Sequence, residues 1–357
     1  VNTIRQTNVN NALAGKVAGL QVRSQSTAAL DGGASIRLGG EGGLSSGSVL
    51  YVVDGTQMPN ANDISADDVE DYTVLQGPAA SALYGPAGQN GVVVITLKKG
   101  KRSNGIGLEV NTGIQFDKIY VLPNHQNSYA GGSNADMLKY TYKAGDPVGW
   151  QALDGKYFPN YDDDASWGPR MAGQEYIPWY AWYPGHERSF KTASLTPQPS
   201  NAADFYNTGI TTNSNINFSK ATDNYNIRAS YSNLDIKGMI PTSKLKRNML
   251  TLNASMDLNS HFTFSTNINY VTQNTDGNFD QAYSNATTGS FNQWFHRDLD
   301  MNIMRELQYL TNTDGTLASW NHGNPSATSN NATILKGNYW YNPYSFQNNK
   351  INKAHRD

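Results

Sequence analysis

There is no cysteine in the 357 residues, so disulfide staples and thiolate chemistry, whether redox or metal-binding, are excluded, while the cellular compartment is left open. Charge is sparse and balanced. Charged residues make up 16% of the chain and the formal net charge is -2. A general nucleic-acid surface is therefore not expected, because phosphates require an excess of Lys and Arg. No apolar run approaches the roughly 20 residues of a membrane helix, and no signal peptide opens the chain, so residue 1 is not expected to be the start of the gene product. A transmembrane β-barrel survives these absences. Its lipid-facing side chains alternate with polar ones and its sequence reads as hydrophilic on average, with which the mean hydropathy of -0.58 is compatible. Metal chemistry finds no support: the six histidines are scattered, His296 and His322 lack ligand spacing, and there is no HExxH run. No metal and no cofactor are expected.

Glycine is plentiful, with 33 residues, as is tyrosine, with 21. The length allows roughly two domains, and residues 1–102 read as one compact α/β unit. Val9, Leu13, Val17 and Leu20 recur at helical spacing and predict an amphipathic helix over about 8–18, stopped near Gly19. Segments 21–23, 34–38, 49–53, 71–75 and 92–97 have strand composition. Between them, the Gly/Ser tract 39–48 predicts a mobile loop, Asp54-Gly55 a turn, and Ser65 to Asp68 the capping-box start of a short helix. Gly85, Gly88 and Gly91 lie between an Ala-rich helical segment (79–83) and the last strand. A phosphate cradle needs strand, glycine loop and helix in that order. Here the order is reversed, so these glycines are read as backbone residues of a helix-to-strand connection.

After Arg102 the pattern changes to all-β, with strands placed near 105–117, 210–220, 224–234, 246–258 and 261–273. Apolar Tyr225, Ile227, Ala229 and Tyr231 alternate with polar neighbours, as do Leu250, Leu252, Ala254, Met256 and Leu258. Short turns at 221–224 and 259–260 oppose longer connections at 236–244 and after Asn274, the asymmetry of an outer-membrane barrel. A soluble β-sandwich also alternates, but strands of about ten residues favour the barrel over the usual five or six. Tyr231 and Tyr270, near strand ends, fit an interfacial aromatic girdle or ordinary strand tyrosines. Residues 350–357 show no closing-strand pattern. Residues 103–357 therefore read as the N-terminal part of a transmembrane antiparallel β-barrel with long external loops.

The first hundred residues carry, in order, the pieces Leu13 to Val22, Ser35 to Gly40, Leu50 to Gly55, Asp67 to Glu70 with Val74-Leu75, Ala79 to Gly85, and Gly88 to Thr96. In this order and spacing they resemble the plug domain of the SusC/RagA family of TonB-dependent outer-membrane transporters of Bacteroidetes. Ser166-Trp167-Gly168-Pro169, with Gly173-Gln174, looks like the family's long first external loop, and Asp204 to Gly209 like the lead into its second barrel strand. The likeness fades beyond Asp276. It implies a small α/β plug inside a barrel of about twenty-two strands, of which this chain would be a fragment lacking the TonB box. It also implies localisation in the outer membrane of a Gram-negative bacterium.

The implied function is energised import of oligosaccharides or peptides without covalent chemistry. The implied partners are a SusD-like surface lipoprotein as lid, the TonB-ExbB-ExbD complex, outer-membrane lipid and a second transporter–lid pair. The rival readings are an outer-membrane receptor that binds without transport, and a soluble adhesin. Arg37, Asp54, Gly55, Tyr84, Gly85, Gly88 and Gly91 belong to the plug motif. The polar ones among them are expected to bond within the plug or to the barrel wall. Trp167, Trp179, Tyr180, Trp182 and Tyr183, in an aromatic tract, are candidates for substrate or lid contact, against the alternative that they pack the loop on itself. Asp162, Asp163 and Asp164 lack EF-hand spacing and read as a solvated turn. Asp298 and Asp300 fall beside Arg297 in an expected short helix, where residues two apart do not share a face.

Overall fold

The computed structural model describes residues 10, 13, 15–23, 30, 35–38, 48–102, 105, 107–277, 291, 294–327, 332–349 and 353–356. The first part opens with a small antiparallel pair, β1 (Leu20–Arg23) and β2 (Ser35–Leu38). A four-stranded sheet follows, made of β3 (Leu50–Val53), β4 (Thr56–Met58), β5 (Val69–Leu75) and β6 (Val92–Leu97), in the order β4-β3-β6-β5. Strands β3 and β6 run parallel; the other neighbours are antiparallel. The uninterrupted apolar run of β6 follows from burial on both faces. Val93, Ile95 and Leu97 pack with Leu13, Ile36, Tyr51 and Val53, while Val92 joins Val52 and Ala80 beneath helix α1 (Gly77–Tyr84).

The amphipathic helix expected over 8–18 is not found among the described residues of that span. Lys16 N–H donates to Leu13 O at 3.1 Å and Leu20 N–H to Val17 O at 3.3 Å, which are tight turns in place of α-helical bonds. Gly15, at φ 71°, interrupts the helical path. Residues 8, 9, 11, 12 and 14 lie outside the described residues, as do 39–47 of the expected loop. Asp54-Gly55 is the turn of a hairpin, with φ of 45° and 88°, and β4 is too short to have been read from sequence. The expected capping box is not made: Ala66–Asp68 is a single 3-10 turn without a side-chain cap bond.

The second part is an antiparallel wall in the order β16-β15-β14-β13-β12-β7, comprising β7 (Leu108–Asp117), β12 (Gly209–Ala221), β13 (Tyr225–Lys237), β14 (Lys244–Asn259), β15 (Phe262–Asp276) and β16 (Lys353–Arg356). Its register puts Val110, Ile216, Tyr231, Leu250 and Tyr270 side by side across five strands. All five are exposed, at 45–63%. The adjacent row of Asn217, Ser230 and Thr251 is buried. Apolar outside and polar inside is the inverse of a soluble sandwich and the pattern of a lipid-facing barrel wall. Strand β16 corrects the expectation of no strand at the C-terminal end: it pairs with β15 from Gln273↔Arg356 to Asp276↔Lys353. All four of its residues are exposed, so it lacks the alternation by which a strand is read.

Between these strands sit two long connections that fold together. The first holds the short strands β8 (Leu138–Lys139), β9 (Tyr157–Phe158), β10 (Glu175–Tyr176) and β11 (Ala193–Ser194), and α2 (Asn201–Asp204). The second holds α3 (Met301–Glu306) and α4 (Pro343–Asn349). They share one aromatic core, to which Trp182 and Phe205 come from one connection and Phe295, Trp320 and Tyr344 from the other. Asp298 and Asp300 precede α3 instead of lying in it: Asp300 caps the helix, accepting from Asn302 N–H at 2.8 Å.

Candidate functional site

The plug meets the wall through a closed set of polar bonds centred on the 3-10 turn 66–68. Asp68 is buried at 2% exposure. Its Oδ1 accepts from the Arg228 guanidinium at 2.7 Å and its Oδ2 from Ser230 Oγ at 2.6 Å. Arg228 donates a second bond to Asn217 Oδ1 at 2.6 Å, and Asn217 donates to Asn215 Oδ1 at 3.2 Å. Asn215 donates to Ser232 Oγ at 2.7 Å, and Ser232 pairs with Ser65 Oγ of the plug at 3.0 Å, which closes the ring. Period two explains why β13 can do this: Arg228, Ser230 and Ser232 share the inner face. A buried charge pair is tolerable only when its remaining donors and acceptors are met, and here the neighbouring amides and hydroxyls meet them.

Further attachments surround the ring. Asp54 bridges the two parts, with Oδ1 accepting from Leu97 N–H of the plug at 3.0 Å and Oδ2 from Asn267 of the wall at 3.1 Å. Arg247 donates to Asn62 O at 2.9 Å, Asn269 to Asp63 O at 2.9 Å, and Arg356 pairs with Asp63. One apolar contact accompanies these polar ones: Leu30 of the plug is buried with Leu234, Ile236 and Leu245 of the wall.

Of the plug-motif residues, Asp54 thus sits at the interface, in the Asp54-Gly55 turn. Arg37 is half-buried on β2 opposite Gln21. Tyr84 packs against the Val52–Ala80–Val92 cluster. Gly85 ends α1, its N–H donating to Ser81 O. Gly88 and Gly91 are sites of close approach: an added Cβ would lie 2.6 Å from Ala80 O and 2.5 Å from Leu38 Cδ1, respectively, and Gly91 has a φ of 94°. The ring itself is not among the expectations the sequence pattern raises. Its signal was an arginine on the polar phase of an otherwise lipid-facing strand, since a charge on a barrel wall has to face the lumen.

The aromatic tract divides. Trp179, Tyr180, Trp182 and Tyr183 are buried, with at most 7% exposure, so they form the core of the external module instead of a contact surface. The physical reason is the size of the module: two long connections need apolar burial to hold them together. Trp182 is met edge-on by Tyr140, Trp150 and Phe158 at 5.0, 5.1 and 5.3 Å. Trp167 differs, being 64% exposed and tilted against Tyr129 at 6.0 Å. It is presented by backbone pairing of the Ser-Trp-Gly-Pro tract with 130–132: Trp167 N–H donates to Gly132 O at 2.8 Å and Gly168 N–H to Ala130 O at 2.9 Å.

The acidic run is tied down. Asp163 Oδ1 accepts from Ala165 N–H, Asp163 O bonds His296 Nε2 at 2.7 Å, and Asp164 accepts from Trp340 Nε1 at 2.8 Å. Burial pushes both internal histidines down, His322 to about 4. Among the described residues, no group of three or more His, Asp or Glu side chains could hold a metal ion. No helix is long and apolar enough to cross a membrane, which says nothing of a crossing by strands.

An α/β plug bound by a polar ring to the inner face of an outward-apolar antiparallel wall is the architecture of a TonB-dependent receptor. The family model for the TonB-dependent receptor plug domain matches residues 2–92. TonB-dependent receptor SusC of Bacteroides thetaiotaomicron is 38% identical over 122 residues, 31% of this chain and 12% of that protein. TonB-dependent receptor P3 of Formosa agariphila is 29% identical over 286 residues, 78% of this chain and 23% of that protein. Among solved structures, the RagAB peptide importer in its open-open state matches with a TM-score of 0.58 at 22% identity, over 82% of this chain and 32% of that one. Residues 2–92 of the chain match the TonB-dependent receptor plug domain, and the wall strands that follow share the fold of the RagAB importer. The chain spans a third or less of the length of these relatives.

Proposed function

We propose that this chain is the plug and leading barrel segment, divided near residue 102, of a TonB-dependent importer in the outer membrane of a Gram-negative bacterium. The cargo is oligosaccharide or peptide, and no covalent chemistry is involved. The observation that carries the reading is the polar seat of the plug. A plug that must move within a water-filled lumen can exchange hydrogen bonds to the wall for bonds to water at a net cost of about 0.5–1.5 kcal/mol each, whereas an apolar seat would resist that exchange. TonB, energised by ExbB and ExbD, supplies the pull. A SusD-like lipoprotein closes the external mouth, in a dimer of transporter–lid pairs, and exposed Trp167 is the candidate among the aromatic residues for lid or ligand contact.

The test is uptake by cells expressing the full-length protein, with labelled oligosaccharides and labelled peptides supplied side by side, in the presence and absence of TonB. Accumulation that requires TonB supports import. Surface binding that is unchanged by TonB deletion, with no accumulation, assigns the protein to the receptor class instead.

A further inference from the structure

The wall strands sort their cations by face. Arg228, Arg247 and Arg356 lie on the inner phase, where they bond the plug at Asp68, Asn62 and Asp63. The lysines take the outer phase. Lys237, Lys244, Lys246 and Lys353 are exposed on β13, β14 and β16, in phase with outward Tyr231, Leu250 and Tyr270 but nearer the end where the long connections leave. At the opposite, short-turn rim, Lys220 is the lysine on the outer phase of the described wall strands. The arginine fork suits fixed bonds inside a protein, whereas lysine carries a point charge on a flexible stem that reaches past an apolar surface to its boundary.

These lysines begin where the apolar band ends. Along β14 the outward side chains run from Leu258 to Leu250, then Asn248, then Lys246 and Lys244. On β7 the band runs from Leu108 to Phe116, which stand in the register rows of Leu252 and Lys244, so both of its edges are displaced by six residues (258 to 252 and 250 to 244) over three strand steps. Barrel strands tilted by about 35–45° carry a level band obliquely across the register in this way. A polar belt marks the boundary on β13 to β15. Tyr231 Oη and the Asn233 amide both donate to Asn248 Oδ1 at 2.8 Å, and Asn248 donates to Thr272 Oγ1 at 3.3 Å. Beyond that belt the basic rows are incompletely neutralised within the chain. Lys237 stands directly opposite Lys244 on the neighbouring strand, an unfavourable placement for like charges. Asp235 and Asp276 are the acids of these rows, and among the described residues the Lys244–Asp276 pair, at 3.0 Å, is the one ion pair these four lysines form.

We propose that this rim binds the phosphate groups of glycolipid headgroups in the outer leaflet, with the acyl chains lying on the apolar band below. The inference rests on the outer-membrane reading and not on import. Charge complementarity and continuity with the lipid-facing band select this occupant. A phosphate seated between Lys237 and Lys244 offsets their repulsion, and a lipid is an anion whose chains the adjoining face already accommodates. Phosphate bound without regard to leaflet would call for lysines at both rims; they gather at the external one.

The experiment titrates the full-length protein, in non-ionic detergent, with phosphorylated lipid A and with the same lipid A stripped of its phosphates. The phosphorylated form is expected to bind more tightly by about tenfold or more, and less so in high salt. Combining Lys237→Gln, Lys246→Gln and Lys353→Gln should remove that preference without lowering the melting temperature in lipid-free detergent, whereas Lys220→Gln at the opposite rim should leave it unchanged. Equal binding of the two lipids, an equal loss from Lys220→Gln, or displacement by inorganic phosphate at the lipid's own concentration overturns the site. So does a combined variant that keeps the preference but falls from dimer to monomer, which assigns the rim to a second copy. Extraction is scored separately. Release into buffer without detergent overturns the outer-membrane reading and the lipid site with it, while a detergent-extracted, heat-modifiable barrel that does not distinguish the two lipids overturns the lipid site alone.

Discussion

The plug–wall interface and the external module differ in the chemistry that dominates them: polar bonds with one small apolar contact at Leu30 in the first, ring packing in the second. Asp68, Arg228, Ser230, Ser232 and Ser65 join plug to wall through directional bonds that water can replace one at a time. The module is joined by Trp182, Trp320, Phe295, Phe205 and their neighbours, whose burial is non-directional and has no substitute in water. On the proposed import function, the difference separates the junction that would open from the platform that would stay folded. Under a pull on the plug, the polar junction should yield first, leaving the external loops intact.

The largest effects should come from breaking each side in its own way. Trp320→Ala, which removes a side chain packed edge-on against Phe295 and His296 at 5.3 and 4.7 Å, should cost about 3–5 kcal/mol. Hydrogen exchange should rise across both long connections and leave the plug protected; loss of protection confined to one connection would deny them a shared core. Asp68→Ala should cost a similar ~3–5 kcal/mol, because it strands the buried Arg228 charge, but its loss of protection should map to residues 65–68 and β13. The double change Asp68→Leu with Arg228→Met should restore stability while making the plug harder to release, read as slower TonB-dependent uptake. Uptake faster than wild type in that double variant would contradict the polar-seat argument.

A smaller effect separates the two regions by pH. His322 is buried in the module and its folded pKa is lowered by burial from 6.5 to about 4. The unfolded chain therefore takes up the proton first, so the stability contribution is complete above about pH 6.5 and is lost as pH falls toward 4, about 3 kcal/mol over that window. His296, also lowered by burial but opposed by Asp298 and Asp163, adds in the same direction. Thermal melts from pH 7 to pH 4 should show the module's transition falling, and less so in a His322→Gln variant; a flat wild-type profile, or an unchanged slope in the variant, would place the imidazole in a wetter setting. The smallest effect belongs to the exposed Arg188–Glu306 pair at 3.0 Å. Although it links the two connections, Arg188→Ala should cost only about 0.2–1 kcal/mol, and less in high salt. A loss comparable to that of Trp320→Ala would show that charge and not ring packing joins the module.

These contrasts bear on what was legible in the sequence. Five wall strands could be placed because a lipid-facing strand writes its environment in alternation, as Leu250 to Leu258 do. Strand β16 carries no such mark, since all four residues of Lys353–Arg356 are exposed. The 8–18 helix was suggested by apolar spacing alone, while Gly15 and Gly19, both at positive φ, set the backbone. At the interface, Ser65 and Asp68 read locally as the start of a helix. Their partners lie about 160 residues away, and no local pattern reports a contact across that distance. The aromatic tract was equally visible. Composition could not separate buried Trp182 from exposed Trp167, because both fates use the same residues.

The most direct test of the releasable plug uses the spacing of Ser65 and Ser232, whose hydroxyl oxygens are 3.0 Å apart across the junction. In the full-length protein, Ser65→Cys with Ser232→Cys should form a disulfide on oxidation. Uptake should then stop while cargo binding at the cell surface is kept, and reduction should restore transport. Undiminished uptake with the crosslink fully formed would contradict the account, because cargo would then be passing without the plug leaving the wall at this point.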